Sequence, residues 1–235
     1  MNEKILAWIH GKYVSPIEGV QHGANVRSSY LINIISSIVG SPLIIDIGIT
    51  RSRHFSVRSD RHFIGLPLSK SSLLLRGVNK LLERLKIITQ KSAFTVVSVR
   101  VDHSEARKLL HYPIDLLVVD GPLGIIVSDK LVEEIKSRHG KVIYVSHDFL
   151  IDRYSGFWLK KLLDAEYNIV QHADLIISAS RRDEMKYKEL YGVSDRILTF
   201  PNIFPLSNHI EFISNIRKRD KPTLVVIGGK FLANN

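Results

Sequence analysis

Short runs of consecutive apolar residues, separated by segments with helical character, constrain the fold of this chain most strongly. They occupy residues 5–9, 43–49, 94–101, 116–119, 142–145, 175–177, 197–200 and 224–227. Unbroken apolar runs are typical of strands that are covered on both faces, as in parallel sheets. The run at 94–101 comes closer to alternation, which predicts a strand with one polar face.

The segments between these runs carry helix start and stop signals. Ser128 can cap a helix that ends before Gly140, and Ser180 can cap a helix over residues 181–191 that stops at Gly192. Strands that alternate with helices favour a mostly parallel sheet with helices on both sides. We therefore predict an α/β fold, a Rossmann-like, doubly wound sheet.

Composition narrows the function classes. The 235 residues include no cysteine, which removes disulfides and thiolate metal ligands and suits a cytoplasmic protein. Lysine and arginine number 33 against 23 acidic residues, a net charge of +10. Such a surplus favours an anionic partner: a membrane surface, a phosphorylated small molecule or nucleic acid. Nucleic acid ranks last, since no zinc-finger or RNA-binding signature is present.

Neither a secretory signal nor a membrane span is expected. No long apolar stretch follows a basic segment at the start of the chain. The longest apolar region, residues 31–49, is interrupted by polar residues and Pro42. A span needs roughly 20 mostly apolar residues. We interpret this region as a helix, a break and a buried strand.

Ligands of doubly wound sheets bind beyond the carboxyl ends of the strands, where the strand order reverses. That rule selects four loops, at residues 10–25, 120–122, 146–148 and 178–182. Ser180, in the last of them, is a candidate substrate-binding residue as well as a helix cap.

The first loop offers an anion site. Gly19 and Gly23 allow close backbone approach, and Arg27 lies near the start of the following helix, where an anion is favoured. The alternative is a flexible surface loop with an exposed arginine. The spacing differs from G-x-G-x-x-G, so a nicotinamide cofactor is not expected.

His147, Asp148 and Asp120 follow buried strands. His147 can accept or donate a proton near neutral pH, and its place after a strand favours a functional role over a structural one. For Asp148 we favour capping of the next segment over ligand contact. Asp120 is a candidate ligand contact, although an aspartate that opens a Gly-Pro turn needs no ligand.

Two helical segments have unusual charge patterns. Glu166 falls on the apolar stripe of its helix, so it must be paired, and a structural bond to a neighbouring loop is favoured over catalysis. Residues 70–91 are a candidate for a basic amphipathic helix. It is interpreted as a surface helix of the domain, with an anionic membrane as the alternative partner.

The segment from Ala173 to Asn202, ADLIISASRRDEMKYKELYGVSDRILTFPN, resembles the end of the N-terminal domain of retaining GT-B glycosyltransferases. The order of the upstream strands and loops agrees over nearly the whole chain. The family usually has glycine after "PN", whereas Ile203 follows here.

The resemblance implies an acceptor-binding domain over residues 1–213, a linker at 214–222, and at 223–235 the first strand and loop of a donor-binding domain that is otherwise absent. It implies that His147 contacts the transferred sugar and that the Gly19–Gly23 loop lies near the donor phosphates and the acceptor. No metal ion and no cofactor are implied beyond the nucleotide-sugar donor.

The leading hypothesis is thus the acceptor-binding half of a hexosyltransferase, active with a donor-binding half. Its expected partners are a nucleotide-sugar and a glycan or lipid-linked acceptor. A donor-binding chain and the inner membrane surface are further candidate partners. The alternative is a non-catalytic binding subunit or remnant of such an enzyme.

Overall fold

The computed structural model describes residues 4–10, 23–40, 42–50, 54–58, 61–89 and 91–201. Their strands are β1 (Ile5–His10), β2 (Leu43–Thr50), β3 (His54–Arg58), β4 (Arg61–Pro67), β5 (Leu116–Asp120), β6 (Lys141–Val145), β7 (Leu175–Ser178) and β8 (Ile197–Thr199). The predicted strand at 224–227, the linker at 214–222 and the 223–235 segment lie outside these residues, so the predicted domain division stays a prediction.

Helices separate the strands of the described residues, except that β2, β3 and β4 follow one another directly. The helices are α1 (Gly23–Val39), α2 (Lys70–Arg84), α3 (Phe94–Val97), α4 (His103–Lys108), a 3₁₀ turn at Leu109–His111, α5 (Gly121–Ser128), α6 (Leu131–Ser137), α7 (Leu150–Arg153), α8 (Leu159–His172) and α9 (Arg181–Tyr191). Among the described residues, no helix combines the length and apolar character needed to cross a membrane.

The strands form one sheet in the order β3-β4-β2-β1-β5-β6-β7-β8. Every pairing is parallel except that of β3 with β4. One half of the sheet extends from β1 through β2 to the β3–β4 hairpin, with β3 at the edge, and the other half extends from β5 to β8. The strand order therefore reverses between β1 and β5. The predicted fold class, a Rossmann-like, doubly wound, mostly parallel α/β sheet, is confirmed.

The central strands are apolar on both faces because helices cover both faces. Along β1, Leu6 and Trp8 pack under α1, while Ile5, Ala7 and Ile9 join the larger core on the other face. The larger core contains residues of α3, α5, α6, α8 and α9. This burial explains the unbroken apolar runs of the sequence.

One predicted strand is wrong, and two strands were not predicted. Residues 94–101 form the short helix α3 and then a single bridge between Val101 and Leu68. These residues pack against the sheet as part of the larger core and do not form a strand within it. A short apolar run is expected in either case, so the run alone does not distinguish a buried helix from a buried strand. β3 and β4 were not predicted because arginine and histidine residues interrupt their apolar positions.

The predicted helix cap at Ser128 is also wrong. Ser128 is the last residue of α5 and is fully buried. The next helix, α6, starts at Leu131 without a side-chain cap and ends at Ser137, before Gly140 as predicted. The chain here holds two short helices instead of one.

The limits of α9 are confirmed. The Ser180 hydroxyl accepts a hydrogen bond from the Asp183 backbone N–H at 3.1 Å. Gly192 follows the helix with φ +67°, in the left-handed region that favours glycine. A cap at each end therefore fixes the helix that precedes the edge strand β8.

Two glycine substitutions should change stability in opposite directions. A Cβ at Gly192 or at Gly77 would meet no atom within 4 Å, so only backbone conformation decides the outcome. Gly192→Ala should lower the free energy of unfolding by about 1 kcal/mol because alanine disfavours positive φ. Gly77→Ala, inside α2, should raise it by roughly 0.5–1 kcal/mol. Urea unfolding measures both, and a loss of stability in Gly77→Ala would contradict this account.

Candidate functional site at the switch point

The reversal of strand order between β1 and β5 creates a crevice at the carboxyl ends of the parallel strands. His10 ends β1 and lies in register with Asp120, the last residue of β5. Ser146 and His147 follow β6 directly on the other side of β5. Two histidines and an aspartate therefore meet where this class of fold binds ligands.

Asp120 is the centre of this group. Its Oδ2 accepts hydrogen bonds from Trp8 Nε1 at 2.9 Å and from the Ser28 hydroxyl at 2.7 Å, and its Oδ1 contacts His147 Nε2. Burial alone would raise the pKa of Asp120. Attraction and hydrogen bonding to His147, with smaller contributions from Ser28 and His10, lower it to about 2. Asp120 is therefore an anion at neutral pH.

The neighbours of His147 determine its neutral tautomer. Nε2 faces the Asp120 carboxylate, and Nδ1 lies 3.5 Å from Arg27 Nη1. A guanidinium only donates hydrogen bonds and an ionised carboxylate only accepts them. Neutral His147 therefore carries its proton on Nε2 and presents a lone pair at Nδ1.

Two glycines make this arrangement possible. Gly121 has φ +66°, and a Cβ there would lie 3.2 Å from His147 Cδ2. A Cβ at Gly124 would lie 2.8 Å from the Ile9 carbonyl oxygen, closer than real contacts allow. The predicted Asp120–Pro122 loop is absent, since β5 passes directly into α5. Glycines thus bring the imidazole and the helix against the sheet.

Arg27 is fully buried. It donates hydrogen bonds to the backbone carbonyls of Phe200 and Ser146, both at 2.8 Å, and of Ile177 at 3.3 Å. Burial lowers its pKa, and the charges of Asp120 and more distant aspartates oppose that effect. Its guanidinium ties α1 to the ends of β6, β7 and β8, so anion binding by Arg27 stays a prediction with a structural alternative.

A second histidine–carboxylate pair lies beside the first. His10 Nε2 contacts Asp46 Oδ1, and Asp46 is 1% exposed within β2. Asp46 Oδ2 is buried with no hydrogen-bond partner among the described residues. This pair was not predicted from the sequence, although a carboxylate inside an apolar strand indicates that a partner lies nearby.

Glu166 is fully buried, as its place on an apolar stripe predicted. Oε1 accepts hydrogen bonds from the hydroxyls of Tyr144 at 2.8 Å and Tyr187 at 2.5 Å, and Oε2 from Tyr191 at 2.7 Å. Burial raises the pKa of Glu166 more than these bonds lower it. The partners lie on β6 and α9 and not on a loop, which corrects that detail of the prediction.

The tyrosine cluster, formed by Tyr144, Tyr187 and Tyr191 around Glu166, contacts the candidate site at Ser146. The hydroxyl oxygens of Tyr187 and Ser146 lie 2.9 Å apart, and the Ser146 carbonyl accepts from Arg27. Ser146, which precedes His147, is thus fixed by contacts with both α9 and α1.

The remaining predicted site residues lie apart from this group or outside the described residues. Asp148 pairs with Arg153 at the surface and does not cap α7, whose cap position is Phe149 without a side-chain bond. The capping prediction is therefore wrong. Ser180 caps α9, and Gly23 begins α1. Gly19 is outside the described residues.

A shallow depression lies at the opposite edge, before β5 and β6. Its polar groups support the fold: Asp115 accepts from the Ile5 backbone N–H at 2.8 Å, and Arg138 donates to the Leu110 carbonyl. Among the described residues, no group of three or more histidine, aspartate or glutamate side chains is arranged to hold a metal ion.

The strand order and the polar groups at its reversal define a Rossmann-like domain with a candidate site at the switch point. No protein-family model matches the sequence. No curated protein matches it significantly. Among solved structures, a chain of sucrose-phosphate synthase from Thermosynechococcus elongatus is similar, with a TM-score of 0.48 and 12% identity over 91% of this chain and 97% of that chain. We transfer no residue role from so distant a likeness.

The ionised state of Asp120 should make stability depend on pH. Its pKa of about 2 lies below the value of about 3.9 for an unfolded aspartate. The stabilisation is fully present above about pH 4 and is lost as pH falls towards 2, a change of roughly 2 kcal/mol. Asp120→Asn should be less stable at neutral pH and should lose less stability over that interval.

Urea unfolding between pH 2 and pH 5 tests this expectation. Asp164→Asn is the matched control, because Asp164 is exposed on α8 and the substitution is chemically identical. An Asp120→Asn protein whose stability falls as steeply as that of the wild type would show that ionised Asp120 is not the stabilising group.

Proposed function

We propose that the described residues form the acceptor-binding half of a GT-B glycosyltransferase that transfers a hexose from a nucleotide-sugar to a hydroxyl group. The observation that carries the proposal is His147, held by Asp120 at the switch point of the sheet. The resemblance of Ala173–Asn202 to the end of such a domain supports it. The donor-binding half would come from a continuation of the chain or from a partner chain.

In the proposed reaction, the bond between the sugar anomeric carbon and the donor phosphate oxygen breaks. A bond from that carbon to the acceptor oxygen forms, and the acceptor proton leaves with the phosphate. Stabilising the charge on the departing phosphate is a large part of such catalysis. The Gly19–Gly23 loop is the segment of this half that we assign to the phosphates.

We assign His147 a positioning role towards the sugar, and its contacts support this role. Nε2 is held by Asp120, and among the described residues Nδ1 has a long 3.5 Å contact with Arg27. A sugar hydroxyl can replace Arg27 by donating a hydrogen bond to Nδ1. Because Asp120 stays ionised, it keeps the imidazole in the tautomer that accepts this bond.

A non-catalytic binding subunit is the second candidate. It is favoured by the pairing of charged groups at the crevice: His147 with Asp120, and His10 with Asp46. Side chains that satisfy one another need no reacting partner to be stable. This candidate predicts ligand binding without turnover.

Sugar transfer from a panel of radiolabelled nucleotide-hexoses separates the two candidates. The chain is assayed alone and as a form extended through the adjoining downstream coding sequence. Turnover in either form supports the transferase. No turnover with any donor, by a protein that gives a cooperative unfolding transition, contradicts it and favours the binding subunit.

His147→Ala should lower kcat/KM of the active form by roughly 10- to 100-fold, the loss expected for one hydrogen bond to the reacting sugar. His172→Ala is the matched control, since His172 bonds a backbone carbonyl at the end of α8, away from the crevice. Wild-type activity in a folded His147→Ala protein would refute the proposed role of His147.

A further inference from the structure

Helix α2 presents its apolar stripe to solvent. Leu74, Val78, Leu81 and Leu85 repeat at intervals of four and three residues, which places them on one face. Their exposed fractions are 71%, 41%, 56% and 59%. An amphipathic helix of a globular domain ordinarily turns this face towards the core. Helix α2 is a surface helix, as predicted, but its apolar face points away from the sheet.

The attachment of α2 explains this orientation. Ser72 is the buried residue of the helix. Its hydroxyl donates to the Ser98 carbonyl at 3.0 Å and accepts from the Arg100 backbone N–H at 3.1 Å. Ser69 caps the helix and also bonds Arg100 through its backbone N–H. Hydrogen bonds on the side opposite to the stripe therefore hold the first turn.

A row of positive charge runs along one flank of the helix, about 130° around the axis from the centre of the apolar stripe. Arg76, Lys80 and Arg84 repeat every four residues, and all three are exposed. The acidic residue of α2, Glu83, accepts a hydrogen bond from Asn79 on the inward side of the helix. No ion pair found among the described residues involves Arg76, Lys80 or Arg84. The solvent-facing surface of the helix therefore combines an apolar stripe with a flank of basic charge.

We propose that α2 docks in the plane of an anionic lipid surface, with its apolar stripe inserted at the headgroup boundary and its basic row on the headgroups. Basic amphipathic helices bind membranes by this combination of buried apolar area and attraction to anionic lipid. At 1.5 Å per residue, the 15 residues of α2 offer a contact about 22 Å long. The inference stands independently of the proposed sugar transfer.

Charge decides among the possible occupants of this face. A second copy of the chain would match the apolar stripe but carries the same net charge of +10, and like charges repel. An anionic bilayer matches both the apolar and the basic part. Ser69 follows the carboxyl end of β4, so docking through α2 would hold the candidate-site edge of the sheet near the lipid surface.

Vesicle sedimentation of the full chain tests the proposal. The protein should pellet with vesicles that contain 30% phosphatidylglycerol in phosphatidylcholine, and should stay in solution with phosphatidylcholine alone. Raising the salt from 0.05 to 0.5 M should weaken the binding, because salt screens attraction to the surface. A wild-type protein that stays in solution with anionic vesicles would overturn the proposal.

Neutralising the basic row should weaken binding on the order of 100-fold, because each basic residue near an anionic surface contributes roughly a fivefold factor. The variant is Arg76→Gln with Lys80→Gln and Arg84→Gln. All three residues are exposed, so the fold should be retained, as circular dichroism can verify.

The control variant carries the same charge change elsewhere: Lys130→Gln with Lys160→Gln and Arg182→Gln, all at exposed positions. It should bind within a few-fold of the wild type. Equal losses in the two variants would show that only net charge matters and would overturn the role of α2.

A third variant, Leu74→Ser with Leu81→Ser and Leu85→Ser, tests the apolar stripe. It should bind anionic vesicles more weakly at low salt and not measurably at 0.5 M salt. If the wild type is instead a dimer by light scattering and this variant is a monomer, a second copy covers the stripe and the lipid proposal is wrong.

Discussion

The buried carboxylate of Asp120 is the interaction on which this end of the molecule depends. It accepts hydrogen bonds from β1 through Trp8, from α1 through Ser28 and from the segment after β6 through His147. A buried charge is tolerated only when it is paired and hydrogen-bonded. The charge therefore specifies how both halves of the sheet meet α1 at the reversal of strand order.

Much of the fold could be predicted from local pattern. The unbroken apolar runs predict β1, β2 and β5 to β8, because a strand that is buried on both faces is apolar at consecutive positions. β3 and β4 could not be predicted in the same way, since their polar residues break the pattern and their pairing is a long-range property. The strand predicted at 94–101 is wrong because a helix packed against the sheet and a strand inside the sheet both require apolar residues.

The candidate site could be predicted only in outline. The rule for doubly wound sheets predicts that Asp120 and His147 lie at the ligand-binding edge, and the two side chains are in contact. Their pairing depends on the register of β5 and β6, which no local motif encodes. The place of Arg27 near a helix start predicts either an anion ligand or an exposed surface residue. The side chain is buried and donates to three carbonyls, so the exposed alternative is wrong and anion binding stays a prediction. The pairing of Asp46 could not be predicted locally, because its partner His10 lies on another strand.

The junction of β5 and α5 limits how this chain can change in length. Asp120 is the last strand residue and Gly121 the first helical one, so no spacer residue separates them. One inserted residue would turn the start of α5 by about 100° relative to the strand or push the carboxylate out of register. Homologous chains can therefore vary freely in the length of surface loops, but the boundary between residues 120 and 121 should stay free of insertions and deletions.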